Sequence, residues 1–364
     1  MNGQKKQYTG IRQFEDQEGS GTLTVTLRPY EPGDEDGMTA CVRDEYGSTY
    51  FKKGFYDAAY LRKEAGNKKY TFLTAQTKAG EVAGMLVLEE LGEEEALCEV
   101  ESLFIRKKYR GYSLAGPFLH YGVEIVLGRN YAAACCHPAL FHPITQKLLY
   151  RQGFRATGLL LNVFDAACMV HSYSNGRNSK FSLGLQLLPM KKKNAGTIYI
   201  PSEHRAFVER VYQGLSMTFQ MVQRSGSKTA DMPQRGEISL QVDSLQSSLE
   251  ICIRHAGADL LERMAEIHAL YPLTGKWTAN VLLNINESHA VRAYKKLTGL
   301  HYFFSGLRPM GNAGEYMVLH NPGEVQCFFE DYAVSPEFAE ILKYIGKYYE
   351  RRNAHEKKKA RYSP

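Results

Sequence analysis

Between Glu99 and Val126 the spacing of apolar residues changes character. Val100, Leu103, Phe104 and Ile105 form a β-rich run of buried-strand length. Beyond Arg110, the residues Leu114, Phe118, Gly122, Ile125 and Val126 recur at helical spacing, so the period passes from about two to about 3.6. A strand, a turn and a helix are predicted, with the turn on the switch. Upstream, 22–37 reads as an alternating strand and a Pro/Gly/Asp turn, followed by a polar helical segment from Met38 to Tyr46. Residues 69–91 predict two apolar strands about a turn at Lys78 to Gly80. Ala132 to Cys136 reads as a short buried strand, and Pro143 to Gln152 as a helix stopped by Gly153, with Phe154 after it.

Residues 165–221 hold a strand in NSKFSLGLQLL, and a further strand and a Pro-initiated helix in TIYIPSEHRAFVERVYQGL. The stretch 222–236 is polar, rich in Gly, Ser and Pro, and predicts a linker. Strands follow at 238–245 and 248–257, then an amphipathic helix over 258–270 with Leu261, Met264, Ala265 and His268 as its inner stripe. A strand at 277–286, a helix at 290–300 closed by Gly299, and strands in HYFFSGLRP and EYMVLHNP complete this half. The succession of strand, helix, Gly-aromatic or Gly-Leu and strand repeats that of 132–164. An α/β chain with mixed sheets is expected. Its segments are an extension (1–21), a first domain (22–164), connecting elements (165–221), the linker (222–236), a second domain (237–350) and a basic tail (351–364), which reads as frayed and solvated.

The turn carries the chemistry. A helix that starts there directs free N–H groups and the positive end of its dipole at whatever lies above the turn, and anions bind such ends. Gly111, Ser113, Ala115 and Gly116 keep side chains out of the way, while Arg106, Lys107, Lys108 and Arg110 add positive charge. The other reading of the residues is a basic solvated turn between two core elements. The run Arg110, Gly111, Tyr112, Ser113, Leu114, Ala115 resembles the acyl-CoA-binding motif R-x-x-G-x-G/A of the GCN5-related N-acetyltransferase (GNAT) superfamily, with Ser113 in place of the middle glycine. The strand at 22–29 with Arg28, Pro29 and Asp34 is similar to the family's R-P-x-x-x-x-D entry, and the order of elements matches the superfamily over roughly 22–164. HPITQKLLYRQGF (142–154) is also similar to one bacterial subgroup. The second half resembles a degenerate domain of the same kind, because between Cys252 and Gly257 it offers IRHAG and no basic turn.

The resemblance implies a GNAT-like acyl-CoA N-acyltransferase fold, with acetyl-CoA as cosubstrate and an amine acceptor, either a small molecule or a peptide. It nominates the backbone of Phe104, Ile105 and Arg106 for the pantetheine arm, and Arg110 to Ala115 for the diphosphate. A glutamate on the strand before the turn is implied as base. Glu99 and Glu101, two residues apart, face the same side there, against the plainer reading of two carboxylates on a solvated strand edge. The family's acid is a tyrosine four residues before the Gly-Phe glycine; here that position is Leu149, and Tyr150 lies one place later, about 100° around the helix. Tyr150 serves only in a shifted register. His142 near the N-cap and Thr145 in the first turn of that helix need no ligand.

Composition adds bounds. With 364 residues, 44% of them hydrophobic, the chain has enough apolar side chains for two cores. A polar start and the lack of a run of about 18 apolar residues lead to the expectation of a cytoplasmic protein away from membranes. Seven cysteines without C-x-x-C spacing argue against zinc, any other metal or a disulfide framework, and Cys135 and Cys136 read as small hydrophobes in a strand. The net charge of +6 comes partly from clusters at Lys191 to Lys193 and Arg351 to Arg361, and no base-reading module accompanies it. Tandem domains of this kind either complete an internal pseudo-dimer or pair further as a homodimer. Two functions follow: an acetyl-CoA-dependent N-acetyltransferase, favoured by the cradle and the strand carboxylates, or an inactive binding or regulatory protein of the same fold, favoured by Ser113 and Leu149.

Overall fold

A computed structural model describes residues 10–15, 21–92, 96–168, 176–191, 196–223 and 232–362. The chain is a mixed α/β protein of two compact units, Met1–Cys136 with Ala167–Ser172, and His137–Ala166 with Tyr173–Pro364.

In the first unit, β1 (Gly10–Glu15), β2 (Thr22–Pro29), β3 (Tyr70–Thr77), β4 (Val82–Leu91) and β5 (Leu97–Ile105) pair antiparallel in chain order. β6 (Ala133–Cys136) joins β5 in parallel. That parallel step needs a long crossover, which helix α3 (Ala115–Leu127) supplies. Helices α1 (Glu35–Tyr46) and α2 (Ala58–Ala65) occupy the connection from β2 to β3. The order is the one the resemblance implies. β1 is a correction: it lies inside the expected extension 1–21, where GIRQFE takes its hydrogen bonds from the edge of β2.

The R-P-x-x-x-x-D entry acquires a physical meaning. Arg28 at the end of β2 sends two N–H groups to Asp34 at 2.7 and 2.9 Å, and a third bond reaches Thr74 on β3 at 3.1 Å. Asp34 is the N-cap of α1 and also accepts from the Glu31 amide at 2.9 Å. Strand end, turn and helix start are thus joined by one buried bidentate pair. One sheet face packs Tyr70, Phe72, Met85, Val87 and Phe104 against Met38, Cys41, Val42 and Leu61 of α1 and α2. α3 covers the other, where a Cβ on Gly122 would lie 2.4 Å from Leu86. β4 is therefore buried on both faces from Val82 to Glu89, which is why it reads as a continuous apolar run.

In the second unit, a sheet runs in the order β8-β7-β14-β15-β13-β12-β11. Its strands are β7 (Arg155–Asp165), β8 (Lys180–Pro189), β11 (Glu237–Asp243), β12 (Ser248–His255), β13 (Thr278–Asn284), β14 (Phe303–Pro309) and β15 (Glu315–Asn321). β9 (Thr197–Tyr199) and β10 (Gln220–Val222) form a separate parallel pair. The helices are α4 (Ile144–Arg151), α5 (Arg205–Gly214), α6 (Leu260–Leu270), α7 (Ala290–Gly299) and α8 (Pro336–Tyr362). The expected succession holds: α6 links the parallel strands β12 and β13, and α7 leads into the β14/β15 hairpin.

Several expectations change. The first unit closes at Cys136, ahead of the boundary expected at 164, because β7 finds its strand partners in β8 and β14. The inner stripe of α6 is Leu260, Met264 and Ile267; Leu261 is 45% exposed, so the apolar face lies one residue round from the expected one. The expected frayed tail is helical as far as Tyr362, as the end of α8. α8 holds on through Phe338, Ile341 and Ile345, all buried at helical spacing. Most of the expected linker, residues 224–231, lies outside the described residues.

β7 and β14 meet where Gly158 pairs with Gly306. A Cβ on Gly158 would lie 2.7 Å from the Gly306 Cα, and one on Gly306 only 2.2 Å from the Gly158 Cα. Gly306 also holds φ at +132°, which suits glycine. Gly306→Ala is expected to destabilise by about 3 kcal/mol or more and Gly158→Ala by about 1–3 kcal/mol. Urea unfolding of the two variants checks the order.

Candidate active site

The site begins with one extra residue. Along the β4/β5 ladder Glu89 faces Glu99 and Val87 faces Glu101, but Met85 then faces Phe104. Ser102 and Leu103 therefore oppose Leu86 alone, a β-bulge, and Ser102 takes φ of +51°. Before the bulge, the side chains of Glu99 and Glu101 share a face with Glu89 and Val87. After it the parity flips, so Phe104 joins that face and packs edge-on against Tyr46 and Tyr50, with centroids at 5.5 and 5.3 Å. β5 pairs with β6 only from Leu97 to Glu99. Past that point the two strands part, and among the described residues of this unit no strand pairs with the far edge of Ser102 to Ile105.

Three carboxylates crowd this face. Glu101 and Glu89 both accept from the ammonium of Lys52, at 2.5 and 2.7 Å, and Lys69 reaches Glu89 at 3.2 Å. Only 11% of the Glu101 side chain and 19% of that of Lys52 is exposed. Glu101 thus lies on an interior strand under α1 and α2, which removes the reading of a solvated edge. Burial pushes its carboxyl up to about 8, against the pull of Lys52 and with the help of Glu99 and Glu89. Burial works the same way on Glu89, yet the two lysines hold that carboxyl below its ordinary value. One carboxylate is thereby fixed as the counter-ion and its neighbour made titratable near neutrality. The Tyr50 and Ser102 hydroxyls share a hydrogen bond of 2.8 Å beside them, and burial raises the Tyr50 phenol well above its usual range.

The turn follows directly. Lys107–Tyr109 forms a single 3-10 turn, and α3 begins at Ala115 with Leu114 as N-cap and no side chain capping it. Its first N–H groups are left for a ligand or water. Gly111 takes φ of +95° with open space where a Cβ would stand, and Ser113 at the middle-glycine position takes φ of +55°. Tyr112 and Ala115 are half-buried, while Leu114 is buried. The positive charge of the turn is partly answered from within: Arg106 pairs with Asp44 at 3.2 Å, Arg110 with Glu45, and Lys108 with Glu81. Arg110 also donates to the Ile105 carbonyl at 3.1 Å, tying the turn to the end of β5. Partly exposed pairs of this kind contribute little to stability.

The structure brings together Glu99, Glu101, Phe104, Ile105, Arg106 and Arg110 to Ala115 in one unit. Tyr150 belongs to the other, on α4, where the Arg155 guanidinium covers its ring at 4.4 Å. It lines a groove of about 160 Å³ with Arg155, Phe207, Arg210, Glu337 and Glu340. Leu149 is fully buried. Pro143, expected in the first turn of α4, is its N-cap, so His142 stands outside the helix. Cys135 and Cys136 are buried in β6. Among the described residues, no group of three or more His, Cys, Asp or Glu could hold a metal ion, and no helix is long and apolar enough to cross a membrane.

Lys52, Tyr50, Glu89 and Ser102 were not legible as site residues. Glu89 carried a signal, because counting back along β4 from its connection to β5 places it opposite Glu99. Lys52 carried none: it lies between α1 and α2 in a stretch without periodicity.

Comparison with known proteins gives a partial likeness. No family model matches the chain, and no curated protein matches it. Among solved structures, a chimera built on spermidine N-acetyltransferase from Vibrio cholerae is similar at 17% identity, over 46% of this chain and 96% of that one, with a TM-score of 0.37. The spermidine/spermine N-acetyltransferase of Vibrio cholerae in complex with manganese ions is similar at 16% identity, over 46% of this chain and 92% of that one, with a TM-score of 0.37. A putative phosphinothricin N-acetyltransferase is similar at 15% identity, over 46% of this chain and 99% of that one, again at 0.37.

Ser113 is exposed, and no hydrogen bond to its hydroxyl offsets its left-handed backbone among the described residues. Ser113→Gly is expected to stabilise the fold by about 1 kcal/mol. Ser102→Gly relieves a similar strain but loses the Tyr50 bond, so its effect is expected near zero. Chemical denaturation of both variants separates the two outcomes.

Proposed function

We propose that the chain is an acetyl-CoA-dependent N-acetyltransferase acting on a primary amine of a small molecule or peptide. The observation that carries this reading is the position of the largely buried Glu101 carboxyl beside the bulge where β5 leaves β6, ahead of the basic turn and an uncapped helix start. The supporting residues fall into two groups. Gly111, Ser113 and the first amides of α3 suit a diphosphate, with Arg110 adding charge. The edge of Phe104, Ile105 and Arg106 that no strand covers suits an extended amide-bearing arm, although the Ile105 carbonyl already accepts from Arg110 at 3.1 Å and the Arg106 amide is given to Ala83 at 2.9 Å.

In this reading acetyl-CoA supplies an activated thioester, and the chain holds it and moves a proton. Glu101 takes the proton from the acceptor amine, and Glu99 on the same face adds negative charge that favours a cationic acceptor. Glu89 and Lys52 hold Glu101 in place. The resemblance places the acid at Leu149, and Tyr150, which serves only in a shifted register, stands on α4 in the other unit with the Arg155 guanidinium over its ring. A second reading, a binding protein of the same fold, draws on two facts: Lys52 already covers the base, and the buried Leu149 stands at the acid position.

Titration calorimetry with acetyl-CoA is expected to give heat that an Arg110→Glu, Gly111→Asp double variant loses. No heat from the folded wild type would sink the enzyme reading. For an accepted amine, Glu101→Gln is expected to lower kcat/KM by about 10²–10⁴-fold. The base works as the carboxylate, so kcat/KM rises with pH and levels off above about 8 in the wild type. Lys52 favours the charged form, so Lys52→Met moves this limb to higher pH. A pH–rate profile that is flat, or that moves downward in the variant, would exclude Glu101 as base.

A further inference from the structure

The space beside Glu101 already holds an amine. Lys52 Nζ is bonded to Glu101 at 2.5 Å and to Glu89 at 2.7 Å, and it lies 5.6 Å from the ring centre of Phe55 and 5.4 Å from that of Tyr70. Two carboxylates and two aromatic faces make an ammonium cage. A base must stand within hydrogen-bond reach of the amine it deprotonates, so Nζ sits where an acceptor nitrogen would have to sit. Lys52 enters from the stretch between α1 and α2 rather than from the sheet, just ahead of a 3-10 turn at Lys53–Tyr56. The cage is formed by β3, β4, β5 and that turn, all in one unit.

We propose that Lys52 is an internal acceptor, acetylated at Nζ by its own active site. The inference rests on the N-acetyltransferase reading. In the step, the Lys52 ammonium gives one proton to the Glu101 carboxylate, and the free amine lone pair forms a bond to the thioester carbonyl carbon. The carbon–sulfur bond breaks, and its electron pair leaves with sulfur as coenzyme A thiolate. The second proton leaves the new amide nitrogen and neutralises the thiolate, while Glu101 returns the first to solvent. The products are Nε-acetyl-Lys52, coenzyme A and one proton, with no redox change.

The modification has a consequence for the site. It removes the cation shared by Glu89 and Glu101, leaving Glu89 with Lys69 and taking from Glu101 its ammonium partner. An external acceptor that brings its own ammonium then restores the balance.

The test uses the full chain with isotope-labelled acetyl-CoA and no added amine, read by peptide mass spectrometry over time, with calorimetry of acetyl-CoA on the same sample. Label at Lys52 is expected to appear at a rate independent of protein concentration, about tenfold or more faster than at the exposed Lys63 and Lys78. Glu101→Gln is expected to slow it by about tenfold or more. Lys52→Arg keeps the ion pair and the fold while removing the acceptor, and its residual label reports background chemistry. If acetyl-CoA binds but Lys52 is labelled no faster than Lys63 and Lys78, or as fast in urea, self-acetylation is overturned and the transferase reading stands. If acetyl-CoA gives no heat, both fall together.

Discussion

The single inserted residue in β5 governs the first unit. Without the bulge at Ser102 and Leu103, strict alternation would carry Phe104 to the α3 face and Ile105 to the face beneath α1 and α2. With it, Ile105 meets α3, where its Cδ1 would lie 2.7 Å from a Cβ on Gly84, and Phe104 completes the aromatic group around Tyr50. The same irregularity falls where β5 and β6 separate, three residues past their last pair. A regular strand would keep β5 straight along its neighbour. The bulged one leaves this edge without a strand partner and delivers the chain to the basic turn and the uncapped start of α3.

The bulge alone leaves an unfavourable charge problem. Three carboxylates on one buried face repel each other, and each desolvated charge costs several kcal/mol if left unpaired. Lys52 offsets this by bridging two of them, and Lys69 screens the third contact from the rim. The compensation is incomplete, with fewer ammonium groups than carboxylates at the centre. The remaining imbalance falls on Glu101, which has one lysine partner where Glu89 has two, and burial keeps its proton on at pH values where an ordinary glutamate has lost it. A base working near neutrality needs that condition, and structural ion-pair networks shift carboxyl groups in the same way.

Much of the fold was legible. The switch of period at Arg110, the hairpin about Lys78 to Gly80 and the α6–β13–α7 succession all arise from local spacing, and each holds in the structure. The misses have physical causes. Leu261 failed as a core residue because helical periodicity tolerates a rotation of one position, and only packing decides between neighbouring stripes. The bulge did leave a trace: Val100 is even and Leu103 and Ile105 odd, a parity change that strict alternation forbids. Lys52 stayed hidden because a long side chain from an aperiodic connection reaches its partners through tertiary structure alone. Arg106, Lys108 and Arg110 were legible as charges, but their partners Asp44, Glu45 and Glu81 are 27–65 residues away.

The second unit repeats the succession and reverses the chemistry. At the step from β12 to α6, where the first unit has its glycine-opened basic turn, Asp259 is the N-cap and Glu262 lies in the first turn. The Asp259 carboxylate accepts from the Gly236 amide at 2.8 Å, and a Cβ on Gly257 would lie 2.2 Å from the Gly236 nitrogen. The helix start therefore meets a carboxylate of its own chain, in space that another backbone segment already fills. A negative side chain at the positive end of a helix stabilises it and at the same time repels a diphosphate. The two helix starts thus differ in charge rather than in capping: neither has a side-chain cap, but α6 begins with Asp259 and Glu262, while the first turn of α3 holds no acidic residue. The close packing of the second unit is plain in its sheet, where Gly158 and Gly306 meet with no room for a Cβ on either.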